Sequence, residues 1–321
     1  MTGLLDGRVV LVTGAGRGLG RAHALELAGH GARVVVNDIG VALAGGRTGE
    51  DPAADVVAEI RAAGGTAVAC HDDIATWAGA AAAVDRGIAE FGALDGLVAN
   101  AGVLRKVELA DLAEEDLDVL VGVHLRGTAA CLRHALRYWR DRHERGEPRD
   151  AAVVTTFSEA AVVSLPGYTV YGGVKAAIAQ LTTTASREAA RYGVRVNGYA
   201  PRAATRMRIG VDTDETEGPW ATGATSPLVA WLLSGRARGV TGRLFQTVGG
   251  AVAPCTQWAT GEYALPRPGR HRLEVDELDG LLTPEWLGPG LGDPVLAGLV
   301  TEQGRPTGEG GTQWESATSS T

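Results

Sequence analysis

Seven short apolar runs recur along the chain, and none of them alternates cleanly with polar positions. They are RVVLVT (8–13), ARVVVND (32–38), TAVAC (66–70), LDGLVAN (94–100), AAVVTTF (151–157), VRVNGYA (194–200) and GRLFQTV (242–248). A strand with one wet face alternates, whereas a near-continuous apolar run suits a strand covered on both faces. Between the runs lie longer alanine-rich stretches with helical spacing, roughly 18–30, 52–63, 75–91, 111–143, 168–192 and 225–235. Strand–helix alternation of this regularity predicts an α/β fold with one Rossmann-type, doubly wound parallel sheet of seven strands.

Two segments break the rhythm. Residues 40–51, GVALAGGRTGED, form a Gly-rich insertion straight after the second strand, and beyond residue 250 the alternation stops. The expected organisation is a binding and catalytic domain over 1–250, an irregular appendage over 251–300 and a flexible, polar tail over 301–321.

Composition narrows the function by exclusion. The chain has 321 residues, 45% apolar and 21% charged, as an ordinary globular protein does. A net charge of −8 argues against a nucleic-acid partner, which would want excess Lys and Arg. Cys70, Cys131 and Cys255 are far apart and offer neither zinc spacing nor a disulfide framework, so no metal is expected and a reducing compartment fits. The start, MTGLLDGRVVLVTG, lacks the basic-then-apolar pattern of a signal peptide, and no stretch is long and apolar enough to span a membrane. A cytoplasmic protein acting on a small molecule is the expectation.

The first strand runs into TGAGRGLGRAHALELA, with Gly14, Gly18 and Gly20 between predicted strand and predicted helix. Backbone amides at such a helix start face a pyrophosphate, aided by the helix dipole. Arg17 and Leu19 lie between these glycines, and Leu19 occupies the place where a G-x-G-x-x-G fingerprint would have its last glycine. The pattern is instead T-G-x-x-x-G-x-G, which resembles the short-chain dehydrogenase/reductase family. About twenty residues on, Asp38 closes the second strand; a carboxylate there accepts from both ribose hydroxyls and repels a 2′-phosphate, favouring NAD(H) over NADP(H). Asp38 capping the following turn is the plainer alternative, and Arg47 in the insertion could complicate the preference. The resemblance also implies that Asp73 and Ile74 contact the adenine, with Asp72 a competitor one residue away.

The segment FSEAAVVSLPGYTVYGGVK (157–175) holds the candidate chemistry. Tyr171 and Lys175 are four apart and share a helix face, whereas Tyr168 is two turns from the lysine. A tyrosine of ordinary pKa, about 10, is a poor base at neutral pH, and a neighbouring ammonium favours its phenolate. The family's Y-x-x-x-K motif matches Tyr171 and Lys175, and its serine thirteen residues before the tyrosine is Ser158. The resemblance assigns proton transfer to Tyr171, orientation of the substrate oxygen to Ser158, and ribose binding with tuning of the tyrosine to Lys175. It further implies that Asn100, Ala101 and Gly102 border the cofactor, and that Pro201 and Thr205 lie against the nicotinamide, Thr205 holding its carboxamide.

Two positions depart from the family pattern. His124, in VHLRGT, stands where many relatives have an asparagine that holds a water of the proton relay. Either it continues that relay or it packs and hydrogen-bonds as a buried histidine. Arg202 replaces the glycine usual after the proline and, with Arg206 and Arg208, could meet an acidic substrate or simply pair with nearby acids. VVVNDIG, VANAGVLR, VHLRGT and APRAATRM together resemble the dehydrogenase units of the peroxisomal multifunctional enzyme type 2 group over about residues 5–250. That branch implies NAD-dependent oxidation of (3R)-hydroxyacyl thioesters of coenzyme A. The alternatives are a ketoreductase of secondary metabolism acting on a polyketide-derived or other carbonyl, or a non-redox lyase or isomerase on the same fold. Relatives associate through the helices predicted at 111–143 and 168–192, so a homodimer or homotetramer is expected.

Overall fold

The structure is a computed structural model that describes residues 3–41, 49–203, 221–248 and 250–255. Among them are eight strands in one sheet, ordered β3-β2-β1-β4-β5-β6-β7-β8. The first seven are parallel: β1 (Val9–Thr13), β2 (Arg33–Asn37), β3 (Thr66–Cys70), β4 (Gly96–Ala99), β5 (Ala151–Thr156), β6 (Val194–Arg202) and β7 (Leu244–Val248). The strands predicted from the apolar runs all form. An eighth, β8 (Ala251–Cys255), turns back antiparallel on β7, where the sequence suggested irregular chain. Pro254 and the short AVAPC run disguise it, because a proline that cannot donate to the ladder is tolerated at an edge.

Adjacent residues of each central strand serve opposite layers. Val9 and Leu11 join the core beneath α3 (Trp77–Phe91), α5 (Gly127–Glu144) and α6 (Thr169–Ala189), while Val10 and Val12 join the core beneath α1 (Gly18–Gly29), α2 (Pro52–Ala62) and α7 (Ser226–Leu233). All five residues of β1 are buried, each apolar side chain contributing about 1.5–3 kcal/mol. The helix starts are set locally: Asp51 accepts from Ala54 N at 3.0 Å ahead of Pro52, and Thr76 accepts from Gly79 N at 3.0 Å.

The stretch predicted as one helix over 111–143 is more complex. It comprises α4 (Glu114–Leu120), a π-helical segment Val121–Arg126, and then α5. Single-turn π segments inside α-helices are frequent at functional sites. This one carries His124. The strand order reverses between β1 and β4, which opens a crevice at the carboxyl ends of the strands, the usual ligand position in such sheets.

Candidate active site

The turn after β1 is built for close approach. Gly14 has φ +62°, and a Cβ there would lie 2.7 Å from the Ala101 backbone. At Gly20 a Cβ would lie 2.0 Å from the carbonyl oxygen of Gly14. Leu19 needs neither freedom, which is why a leucine is tolerated between two obligatory glycines. Thr13 and Asn100 brace the turn: Asn100 N and Ala101 N both donate to Thr13 Oγ1 at 3.0 Å, and Asn100 Nδ2 donates to Thr13 O at 3.0 Å. Arg17, the residue before α1, makes no side-chain cap hydrogen bond, and the first turn of the helix holds no acid. A helix N-terminus without an acid in its first turn, behind a glycine turn, fits a pyrophosphate.

Asp38 lies against that turn. Its Oδ2 accepts from Gly16 N at 3.0 Å and its Oδ1 from Gly40 N at 2.9 Å. The carboxylate therefore does cap the local turn, but its remaining lone pairs can still accept from ribose hydroxyls. Arg17 is not available as a loose cation: its guanidinium pairs with Glu50, and Nη1 donates to Val41 O at 3.4 Å. Asp73 Oδ1 accepts from Ala75 N at 3.0 Å, while the backbone oxygen of its neighbour Asp72 is held by Asn37. Both acids and Ile74 line the crevice.

The candidate catalytic groups converge at the far end of the same crevice. Lys175 on α6 is buried, and its Nζ donates to Thr156 O at 2.9 Å, which fixes the amine beside the end of β5. Nζ stands 5.7 Å from the centroid of the Tyr171 ring one turn earlier. Burial pushes Tyr171 up to about 12, and a hydrogen bond with Ser158 pulls the other way. Burial also brings Lys175 down to about 7. Desolvation thus outweighs, in the protein alone, the benefit expected from the ammonium. Ser158 Oγ itself accepts from Ala160 N at 3.2 Å.

His124 packs edge-on against Tyr171, with ring centroids 5.5 Å apart. Its Nε2 lies 2.7 Å from Val103 O and 3.2 Å from Val103 N; the shorter contact, to an oxygen that can only accept, favours the proton on Nε2, and the buried Nδ1 has no hydrogen-bond partner among the described residues. Burial holds its pKa down near 3. The ring is neutral across the ordinary pH range and is no carrier of an extra proton. Gly102 explains the fit: a Cβ there would lie 2.6 Å from His124 Cε1.

Gly14, Arg17, Gly18, Leu19, Gly20, Asp38, Asp73 and Ile74 thus share one crevice with Asn100, Ala101, Gly102, His124, Ser158, Tyr171, Lys175 and Pro201. Arg202 does not line it; its guanidinium pairs with Glu159 at 2.6 Å. Thr205, Arg206, Arg208, Arg47, and the appendage and tail beyond Cys255 lie outside the described residues. Thr13 opens the T-G-x-x-x-G-x-G pattern without a role read from it, and Glu50 and Glu159 carry no signal in the sequence, because each matters through a partner distant in the chain. No group of three or more His, Cys, Asp or Glu among the described residues could hold a metal, and none of the helices there is long and apolar enough to cross a membrane.

Residues 8–216 match the short chain dehydrogenase family. A short-chain type dehydrogenase/reductase of Mycobacterium tuberculosis is 41% identical over 72% of this chain and 79% of its own length. The hydroxyacyl-CoA dehydrogenase ChsB1 of the same organism is 40% identical over 76% and 78%. Peroxisomal multifunctional enzyme type 2 of Mus musculus is 37% identical over 71% of this chain, which spans only 30% of that longer protein. Among solved structures, a short chain dehydrogenase from Mycobacterium avium superposes with a TM-score of 0.80 at 44% identity, covering 87% of this chain and 94% of its own. Two more distant structures hold different cofactors. A short chain dehydrogenase from Burkholderia cenocepacia carries NADP (28% identity, TM-score 0.65, covering 76% and 98%), and a 7α-hydroxysteroid dehydrogenase carries NADH (26%, 0.64, 78% and 96%). The glycine turn, the converging serine, tyrosine and lysine, and these similarities have one reading: the chain is an oxidoreductase of the short chain dehydrogenase family.

Proposed function

We propose that the protein interconverts a secondary alcohol and a ketone with NAD(H), and that the first substrate class to test is a 3-hydroxyacyl thioester. The observation that carries the proposal is the convergence of Ser158, Tyr171 and Lys175 in the crevice headed by the glycine turn and Asp38. Bound nicotinamide dinucleotide supplies or removes the hydride. The chain's own groups handle the rest. In reduction, the Tyr171 hydroxyl donates its proton to the nascent alkoxide; in oxidation, the phenolate takes the hydroxyl proton. Ser158 orients and polarises the substrate oxygen, and Lys175 reaches the nicotinamide ribose from its anchor on Thr156. His124 holds Val103 and the Tyr171 ring in place, its Nδ1 lone pair facing inward as an acceptor for a relay water.

The preference for NAD(H) rests on charge. Asp38 would face a 2′-phosphate, and Arg17, which lines the same crevice, is already committed to Glu50. The thioester is supported by the names of similar proteins, a hydroxyacyl-CoA dehydrogenase and a peroxisomal multifunctional enzyme. Self-association is proposed through the α5–α6 face, where Leu132, Leu136, Leu181 and Ala185 line a groove flanked by arginines.

The test follows oxidation of NADH and of NADPH with acetoacetyl-coenzyme A and a panel of cyclic and aromatic ketones. Turnover with NADH, falling at least about a hundredfold in Tyr171→Phe, is expected. The preferred ketone then decides between a thioester and a secondary-metabolite carbonyl. Faster turnover with NADPH would overturn the cofactor reading, and turnover that survives Tyr171→Phe would overturn the assignment of the acid/base.

A further inference from the structure

Glu159 follows Ser158 directly, yet its carboxylate is claimed from two other strands. Arg202, the last residue of β6, donates to Glu159 Oε2 at 2.6 Å, and Gln246 on β7 donates to the same oxygen at 3.3 Å. The arginine and glutamate side chains are only 20% and 30% exposed, so solvent screens the pair incompletely. The position of Arg202 is one where the family resemblance leads to glycine. A chain with Glu159 but glycine at 202 would leave this carboxylate, among the described residues, to Gln246, without a counter-charge from position 202. Arg202 therefore supplies a counter-charge that a glycine at its position would not.

We propose that Arg202 is a positioning residue for proton transfer: by holding and neutralising Glu159, it removes the field of a carboxylate that would otherwise oppose ionisation of Tyr171. This rests on the reading of Tyr171 as the acid/base. The turn that carries Glu159 packs directly on the helix beside Tyr171, where a Cβ on Gly172 would lie 2.5 Å from Ala160 O, and after burial and Tyr168 the charge of Glu159 also acts to raise the phenol's pKa. The other groups facing Tyr171 come from every side. On α6 itself are Tyr168, ring to ring at 6.0 Å, and Lys175. From the π-helical segment comes His124, kept neutral by burial, and from the loop after β5 come Ser158 and Glu159. Lys106 reaches the far side of Tyr168, 5.9 Å from its ring centre. Within this set Glu159 is the carboxylate and Arg202 its counter-ion. Substrate contact is not needed to account for the arginine.

The experiment titrates Tyr171 directly, so that it needs no substrate. Protein with isotope-labelled tyrosine ring carbons is saturated with NAD+ and followed by NMR against pH, the Tyr171 resonance being assigned by its loss in Tyr171→Phe. Arg202→Met is expected to raise the Tyr171 midpoint by about one pH unit. Arg202→Lys, which keeps a cation, is expected to stay near wild type, and the double variant Arg202→Met/Glu159→Gln to return there. A merely structural role would not produce that pattern of rescue. If Arg202→Met leaves the midpoint unmoved, or Glu159→Gln does not reverse its rise, the proposal is overturned. Failure of the wider reading would appear elsewhere, as turnover persisting in Tyr171→Phe.

Discussion

At the scale of single residues, two positions make opposite demands. Gly102 must stay bare, because a methyl group would press on a His124 ring that is itself fully enclosed. Gly102→Ala is expected to destabilise by about 1–3 kcal/mol, read as a lower thermal midpoint with the fold retained. Lys175 is the reverse case, a residue kept at a cost in stability. Its folded pKa, about 7, lies below its ordinary 10.5, so the unfolded chain binds the proton more readily between those values. Without cofactor, stability is therefore expected to rise across roughly pH 7 to 10 by up to about 1.4 kcal/mol per pH unit, the full cost being present below pH 7. Lys175→Met should flatten that slope in denaturant titrations at a series of pH values and be the more stable protein at pH 7.

What was legible at this scale was whatever local spacing dictates. Tyr171 and Lys175 share a helix face, and the family resemblance adds Ser158 thirteen residues before the tyrosine, two residues beyond the end of β5. The Glu159–Arg202 pair was not legible, since its members are 43 residues apart and neither requires the other locally. Nor was the buried chain in which His23 Nδ1 meets Ser226 Oγ at 2.8 Å and its Nε2 meets the Tyr199 hydroxyl. Those partners are up to 203 residues apart.

At the scale of elements, apolar runs placed the strands well, because a strand buried on both faces can be written almost only in Val, Leu and Ala. The π-helical turn within the α4–α5 stretch escaped, because its signal is a register shift rather than a composition. It lets Leu120 on α4 remain in the core while His124 sits beneath Gly102 and Ala130 and Cys131 on α5 keep to theirs. Deleting Gly122 would force the segment toward continuous α-helix and rotate α4 by about 100° against α5. With His124 and Tyr171 in contact, turnover is expected to fall by about a hundredfold while circular dichroism still reports the helices.

At the scale of the whole sheet, the catalytic and opposite ends are held differently. At the carboxyl ends lies the crevice with its neutral His124, while the equally buried His23 meets Ser226 and Tyr199 outside the crevice lining. Burial lowers His23 and His124 to about 3, below their ordinary 6.5, so the unfolded chain gains protons first as the pH drops. Stability is expected to be complete above about pH 6.5 and to decline below it by up to roughly 1.4 kcal/mol per pH unit for each ring. His23→Gln should blunt that decline in acid-unfolding curves.

At the amino ends a polar clamp joins four central strands. Asp95 accepts from Val9 N at 2.9 Å and from Arg149 at 2.9 Å, and Asp150 pairs with Arg8 and with the buried Arg195. Asp150→Ala leaves those guanidinium groups without their carboxylate and is expected to cost about 1–3 kcal/mol in denaturant unfolding. Being remote from the crevice, it should leave kcat unchanged.

That clamp also governs how the chain comes to be folded. Arg8 and Asp150 are 142 residues apart, and β1 takes β4 as a neighbour only after β2 and β3 have been made. On the ribosome, the first three strands would emerge with the inner edge of β1 unpaired and Arg8 awaiting its acid. Parallel pairing over such separations is slow and leaves apolar strand edges open to other chains. A nascent chain stopped short of β5 should be captured by chaperones or digested by protease, whereas one carrying β6 has every strand that closes the clamp.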